Sequence, residues 1–213
     1  MKLDVTPFDC SKHVFHSEAF EEIIKDTIRF FNGTPVYHLP PPESFIGSGV
    51  YAIYYIGKSP YYRSLHNLNR IEFKQPIYVG KAVPQGWRQA RKRTSGTSSN
   101  ELFHRLKDHA RSISQVDNLD LTDFYCRFMI LEEAESDLIG TVEAALIRYY
   151  KPVWNSCLDG FGNHDPGKGR YNQARSDWDI LHPGRFWAER CSGKSSTLEQ
   201  VKNNLKTYFL NDE

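Results

Sequence analysis

The sequence predicts an α+β domain in which a small sheet is flanked by helices. Three observations predict it. β-branched and aromatic runs at 49–56, 77–79 and 123–131 read as strands; amphipathic helical patterns follow the second and third of them, at 100–114 and 135–150; and a further helical pattern stands ahead of the domain, at 18–31. With 213 residues, 39% of them hydrophobic and 25% charged, the chain can bury one core and carry appendages. No apolar run nears the roughly 20 residues that cross a bilayer. The opening residues also lack the apolar stretch of an export signal, so a cytoplasmic protein without a membrane partner is expected. Cys10, Cys126, Cys157 and Cys191 are scattered, which points to buried thiols rather than a disulfide framework or a zinc site.

Taken in order, Ser17 is placed to cap the first helix, whose stripe is Phe20, Ile23, Ile24, Ile28 and Phe31, and Asn32-Gly33 reads as its stop. This helix is expected to serve packing or dimerisation. Pro40, Pro41 and Pro42 remove donors and fix φ, so residues 38–45 read as a linker. The first strand, GVYAIYYI, opens the main domain, and a polar, tyrosine-rich insertion at 57–75 separates it from the second. Residues 82–99 read as a long basic loop. Asn100 then reads as the N-cap of a helix whose apolar face is Leu102, Phe103, Leu106, Ala110 and Ile113. Arg105 and His109, four residues apart, share one side of it. The later helix carries Leu138, Ile139, Val142, Leu146 and Tyr149 and ends at Pro152. Four glycines at 159–170 suggest a flexible arm, and 197–210 a terminal helix. The resulting division is 1–45 for the N-terminal helix and linker, 46–156 for the core, and 157–213 for an extension that contacts a partner or a second subunit.

The formal net charge of +1 hides a strong local polarity. Between positions 74 and 113, Lys74, Lys81, Arg88, Arg91, Lys92, Arg93, Arg105, Lys107 and Arg111 face only Glu101 and Asp108; between 117 and 145, eight acids face Arg127. A basic face of that kind suits a polyanion, although solvated surface charge produces the same pattern.

Gly49-Val50-Tyr51, Tyr78-Val79-Gly80 with Lys81 directly behind it, Arg105 and His109 on the following helix, Glu143 on the later helix and Asn155 just beyond it occur in one order along the chain. In that order the chain resembles the GIY-YIG nuclease family over residues 49–155. The resemblance implies a central three-stranded antiparallel sheet. Two departures stand out: valine replaces isoleucine in both tripeptides, and 26 residues separate Tyr51 from Tyr78 where the family usually has roughly ten. Tyr55-Ile56-Gly57 also spells the second half-motif, but no hairpin fits between it and Tyr51.

What the resemblance implies is hydrolysis of DNA phosphodiester bonds. Glu143 would be the one protein carboxylate on a Mg²⁺ ion, with Mn²⁺ able to substitute, since Mg²⁺ keeps several waters and accepts phosphate oxygens. Arg105 would hold the scissile phosphate with its planar fork. Tyr51 is expected to take the proton of the attacking water, biased by Lys81 and the ion; His109 is the competing base, because an imidazole titrates near working pH. Tyr78 and His109 would otherwise orient water or phosphate, and Asn155 would fix the substrate or Glu143.

For DNA binding, Trp87, Arg88, Arg91, Lys92 and Arg93 would follow the phosphate backbone. The insertion, with Tyr61, Tyr62, Arg63, His66, Asn67, Asn69 and Arg70, and the arm at 160–175, with Lys168 and Arg170, hold residues able to read bases, or are variable surface loops. The absence of a long separate binding module resembles the type II restriction members of the family, and the detailed pattern resembles those associated with CCGCGG. That implies a prokaryotic, site-specific enzyme acting as a homodimer on palindromic double-stranded DNA, with a cognate DNA methyltransferase as functional partner. A structure-specific repair or recombination nuclease and a non-catalytic DNA-binding protein are the alternatives.

Overall fold

In the computed structural model, residues 8–84 and 100–211 are described. The chain folds around a four-stranded sheet: β1 (Val36–His38), β2 (Gly49–Tyr55), β3 (Tyr78–Ala82) and β4 (Phe124–Ile130), in spatial order β1-β4-β2-β3 with every pair antiparallel. The expected three-stranded sheet therefore gains a fourth strand. β1 pairs Val36 with Arg127 and His38 with Tyr125; three residues are too few to show an alternation, so composition alone could not reveal it.

β2 explains the architecture. All seven of its residues are buried, because helices cover both faces of the sheet. Tyr51, Ile53 and Tyr55 join one cluster with Leu102, Leu106, Ala110 and Ile113 of α3 (Glu101–Ser114). Val50, Ala52 and Tyr54 join the opposite cluster with Phe31 of α1 (Glu18–Gly33) and Ile139, Val142 and Leu146 of α4 (Ile139–Tyr150). The period-2 alternation of a strand thus feeds two cores at once. β2 pairs with β3 through Tyr51↔Gly80 and Ala52↔Val79, so Tyr78-Val79-Gly80 is the partner half-motif and Tyr55-Ile56-Gly57 is not.

Several expectations are corrected at the ends of elements. Ser17 does cap α1, accepting from the Phe20 N–H at 3.3 Å, yet only the C-terminal half of the predicted stripe docks: Phe31 is buried while Phe20 and Ile23 are 47% and 45% exposed. Asn100 stands at the α3 N-cap position without capping; its amide donates instead to Ser44 Oγ at 3.2 Å. The helix expected from 135 begins as a 3-10 turn, Glu133–Leu138, and becomes α-helical only at Ile139. Lys151, in the left-handed region at φ 44°, ends it ahead of Pro152. The cysteines do not all sit in the core, since Cys10 is exposed.

The insertion at 57–75 is not a simple loop. It holds α2 (Arg63–Asn69), which buries Leu65 and Asn69, and a preceding turn whose Tyr62 is fully buried. Tyr62 Oη is bonded to His182 Nε2 at 2.6 Å and accepts from Trp154 Nε1 at 2.9 Å. The Asn69 amide donates to Tyr55 O and Gln75 O. These two residues, expected among the base readers, hold the insertion on the core.

Beyond α5 (Val153–Ser156), the extension contains α6 (Asp177–Leu181), α7 (Phe186–Glu189) and α8 (Leu198–Asn211). Leu158, Phe161, Trp178, Leu181, Val201 and Leu205 enter the same cluster as Tyr51. The glycine-containing stretch expected to be a flexible arm is tied down at its start by Arg185, described below. Among the described residues, no helix is long and apolar enough to cross a membrane.

Candidate active site

β3 lies at the end of the sheet among the described residues, and this position lets side chains from both faces meet. Tyr51, Tyr78 and the α3 residues approach from one face; Glu143 of α4 approaches from the other, beside Lys81. Together Tyr51, Tyr78, Lys81, Arg105, Glu143 and His164 line an open cleft of about 420 Å³. Tyr51 belongs to the inner strand, and reaches the cleft past its cross-strand partner Gly80. A Cβ at Gly80 would lie 2.4 Å from the Tyr51 hydroxyl oxygen, so the glycine of the second half-motif makes room for the tyrosine of the first.

Tyr51 is fully buried, and its Oη lies 2.5 Å from His109 Nε2. Burial above all, then the neighbouring Tyr78 phenol, holds the Tyr51 hydroxyl well above its ordinary pKa; Arg105 acts in the opposite sense. Burial, followed by Arg105, keeps His109 well below its ordinary value. Both groups are therefore neutral at neutral pH. Tyr78 is raised by burial, with Arg105 opposing and Glu143 assisting. Its ring stands 5.1 Å from that of His109 and 5.0 Å from that of Phe161, both edge-on.

Lys81 does not serve Tyr51 as expected. Its Nζ lies 2.5 Å from Glu143 Oε2, and the cation that acts on the Tyr51 phenol is Arg105. Asn155 is also placed differently from the expectation. It does not line the cleft and is not hydrogen-bonded to Glu143; its Oδ1 accepts from the Val79 N–H at 2.8 Å and its Nδ2 donates to Val79 O at 2.9 Å. The physical cause is the end position of β3. Val79 turns one N–H and one C=O away from β2, and a side-chain amide satisfies both.

The remaining expected DNA contacts are dispersed. Arg63 and Arg70 are exposed on and just after α2, and neither lines the cleft. Lys168 and Arg170 are exposed on the loop that follows His164. Trp87, Arg88, Arg91, Lys92 and Arg93 lie outside the described residues. Three residues of the site escaped sequence reasoning. His164 is hydrogen-bonded to Arg105 at the mouth of the cleft, Phe161 stacks on His109 at 4.6 Å, and Arg185 holds their segment. No spacing relative to the α3 residues distinguishes a histidine in a glycine-containing loop.

Among the described residues, no group of three or more His, Cys, Asp or Glu side chains is arranged to hold a metal ion. The donor set suits a hard cation that keeps most of its water: a carboxylate, Glu143, partly buried in the cleft and close enough to both phenols to raise them.

No curated protein matches the chain. The family model described as the Eco29kI GIY-YIG domain matches residues 43–209, running from just ahead of β2 into α8 and so including the extension. The geometry around β3 and a match over most of the chain lead to one conclusion: this chain belongs to the Eco29kI GIY-YIG family, and is a nuclease of the restriction-endonuclease type.

Proposed function

We propose that the protein is a type II restriction endonuclease that hydrolyses both strands of a palindromic, GC-rich site in double-stranded DNA, with Mg²⁺ bound at Glu143 and replaceable by Mn²⁺. The observation that carries this reading is the convergence of Tyr51, Tyr78, Arg105 and Glu143, from four separate elements, on one cleft at the end of the sheet.

Each side chain then has a chemical task. Arg105 presents N–H donors to the scissile phosphate, an interaction that strengthens as charge accumulates in the transition state. Tyr51 lines the cleft and His109, bonded behind it, does not, so the phenol and not the imidazole is the group that meets the attacking water. With His109 in its Nδ1–H tautomer, the phenol donates to Nε2. As the water's oxygen bonds to phosphorus, its proton passes to Tyr51 Oη and the phenolic proton passes to His109 Nε2, leaving phenol and imidazolium. The buried phenol therefore need not be ionised beforehand. Tyr78 orients the phosphate, and Lys81 holds the Glu143 carboxylate while the cleft is free of substrate. The bound ion would supply stabilisation of charge on the phosphate oxygens. Asn155 acts on the position of β3 and not on DNA.

A palindromic site is matched by a two-fold dimer supplying one cleft to each strand, and a methyltransferase of the same specificity would protect the host's own DNA. Incubation of the protein with plasmid DNA and Mg²⁺ is expected to give discrete fragments whose ends map to one sequence. A smear, or preference for branched DNA over linear, would count against site-specific restriction.

A further inference from the structure

We propose that His164 is a positioning residue for Arg105, and that the extension segment carrying it, pinned by Arg185, completes the catalytic cleft. The inference rests on the nuclease reading above.

The segment closes over the α3 side chains in two places. Phe161 is buried, stacks on His109 with an interplanar angle of 19°, and meets Tyr78 edge-on at 78°. Gly162 allows that approach, since a Cβ there would lie 2.8 Å from the Tyr78 hydroxyl. At the cleft mouth, His164 Nε2 accepts a hydrogen bond from Arg105 Nη1. The charged groups around this imidazole are Arg105, Asp108 and Arg185; partial burial and the two guanidiniums lower its proton affinity, against Asp108. The ring is thus an acceptor, suited to a cation. An arginine has five N–H donors on a long, flexible stem. Committing one of them to His164 restricts the rotamers of Arg105 and leaves the rest of the fork for phosphate.

What holds His164 in place is unusually complete. Arg185 is 1% exposed. Its Nε and Nη2 bond both oxygens of Asp179 at 2.6 and 2.7 Å, Nη2 also reaches Gly160 O at 2.9 Å, and Nη1 reaches Phe161 O and Asn163 O at 3.0 and 3.2 Å. Every donor of the guanidinium is used, three of them on carbonyls of the segment. The guanidinium also packs against the rings of Trp178 and Trp187 at 4.5 and 4.7 Å. A buried cation of this kind fixes the path of the backbone at Gly160, Phe161 and Asn163, directly ahead of His164.

The test is single-turnover cleavage, with Mg²⁺, of a duplex containing the site mapped from plasmid digestion, using wild type, His164→Ala, His164→Gln, Arg105→Ala and the double variant His164→Ala with Arg105→Ala. His164→Ala is expected to cleave about tenfold more slowly at saturating protein, the loss of one hydrogen bond to a charged group at an exposed position, with DNA affinity and melting temperature unchanged. His164→Gln should recover most of the rate through its amide oxygen. In the Arg105→Ala background, removing His164 should cost nothing further. Wild-type rates in His164→Ala, or a loss that Gln does not repair and that adds in full to Arg105→Ala, would overturn the inference. A wild-type protein that cuts no DNA would instead remove the nuclease reading on which it stands.

Discussion

At the scale of single residues, the chemistry is set by which groups are denied water. Tyr51 and His109 are kept neutral by burial and joined by a short hydrogen bond, so Tyr51→Phe removes both the contact with the attacking water and the route for its proton. Cleavage should fall by roughly 10² to 10⁴ fold while a gel-shift assay shows unchanged DNA binding. The same burial has a stability consequence at His182, whose pKa is lowered to about 3, first by burial and then by Arg185. Above pH 6.5 the imidazole is neutral in both folded and unfolded chains. Below it the unfolded chain takes up a proton that the folded chain refuses, so stability is lost as pH falls from 6.5 toward 3. Melting temperatures recorded at pH 7.5 and 5 should therefore drop with acidity, and the drop should shrink in His182→Gln. An equal drop in the variant would assign the acid sensitivity elsewhere.

At the scale of elements, the end position of β3 governs both what the sequence reveals and what it hides. β2, α3 and α4 were legible because each buries a continuous or periodic apolar pattern, and Tyr51, Arg105, His109 and Glu143 ride on those elements, while Tyr78 rides on the short β3. Asn155 was legible as a position but not as a contact, because its partner depends on which strand ends the sheet. Likewise, no composition distinguishes the fully buried Arg185 from an exposed arginine, and α6 and α7, with five and four residues, are too short for periodicity. Two outcomes follow from this arrangement. Asn155→Ala leaves the Val79 N–H and C=O unpaired and should cost about 1–3 kcal/mol in urea denaturation; an unchanged midpoint would show that water replaces the amide freely. Arg185→Met strands the Asp179 carboxylate in the core and should cost about 3–5 kcal/mol, far more than the exposed pair Arg29 to Asp26, whose side chains are 78% and 66% exposed.

At the scale of the whole molecule, one sheet carries cover on both faces and a site at its end, and the extension supplies part of the site wall. The insertion between the half-motifs, far from being a free recognition loop, is anchored by Tyr62 and Asn69, which leaves Lys58, Arg63, Arg70 and Lys74 exposed as its outward cations. On the proposed reading, in which a two-fold dimer cuts both strands of a palindrome, the protein bound to a duplex containing the cleaved site should sediment with two chains per duplex; one chain per duplex would contradict the symmetric reading. The central claim is that side chains brought together from both faces of the sheet form one hydrolytic site on DNA. Its most direct test is Glu143→Gln, a change that keeps size and removes charge, compared with wild type for binding and for cleavage of the same duplex in Mg²⁺. The variant is predicted to bind as wild type does and to cleave slower by orders of magnitude, whereas cleavage at the wild-type rate would contradict the account.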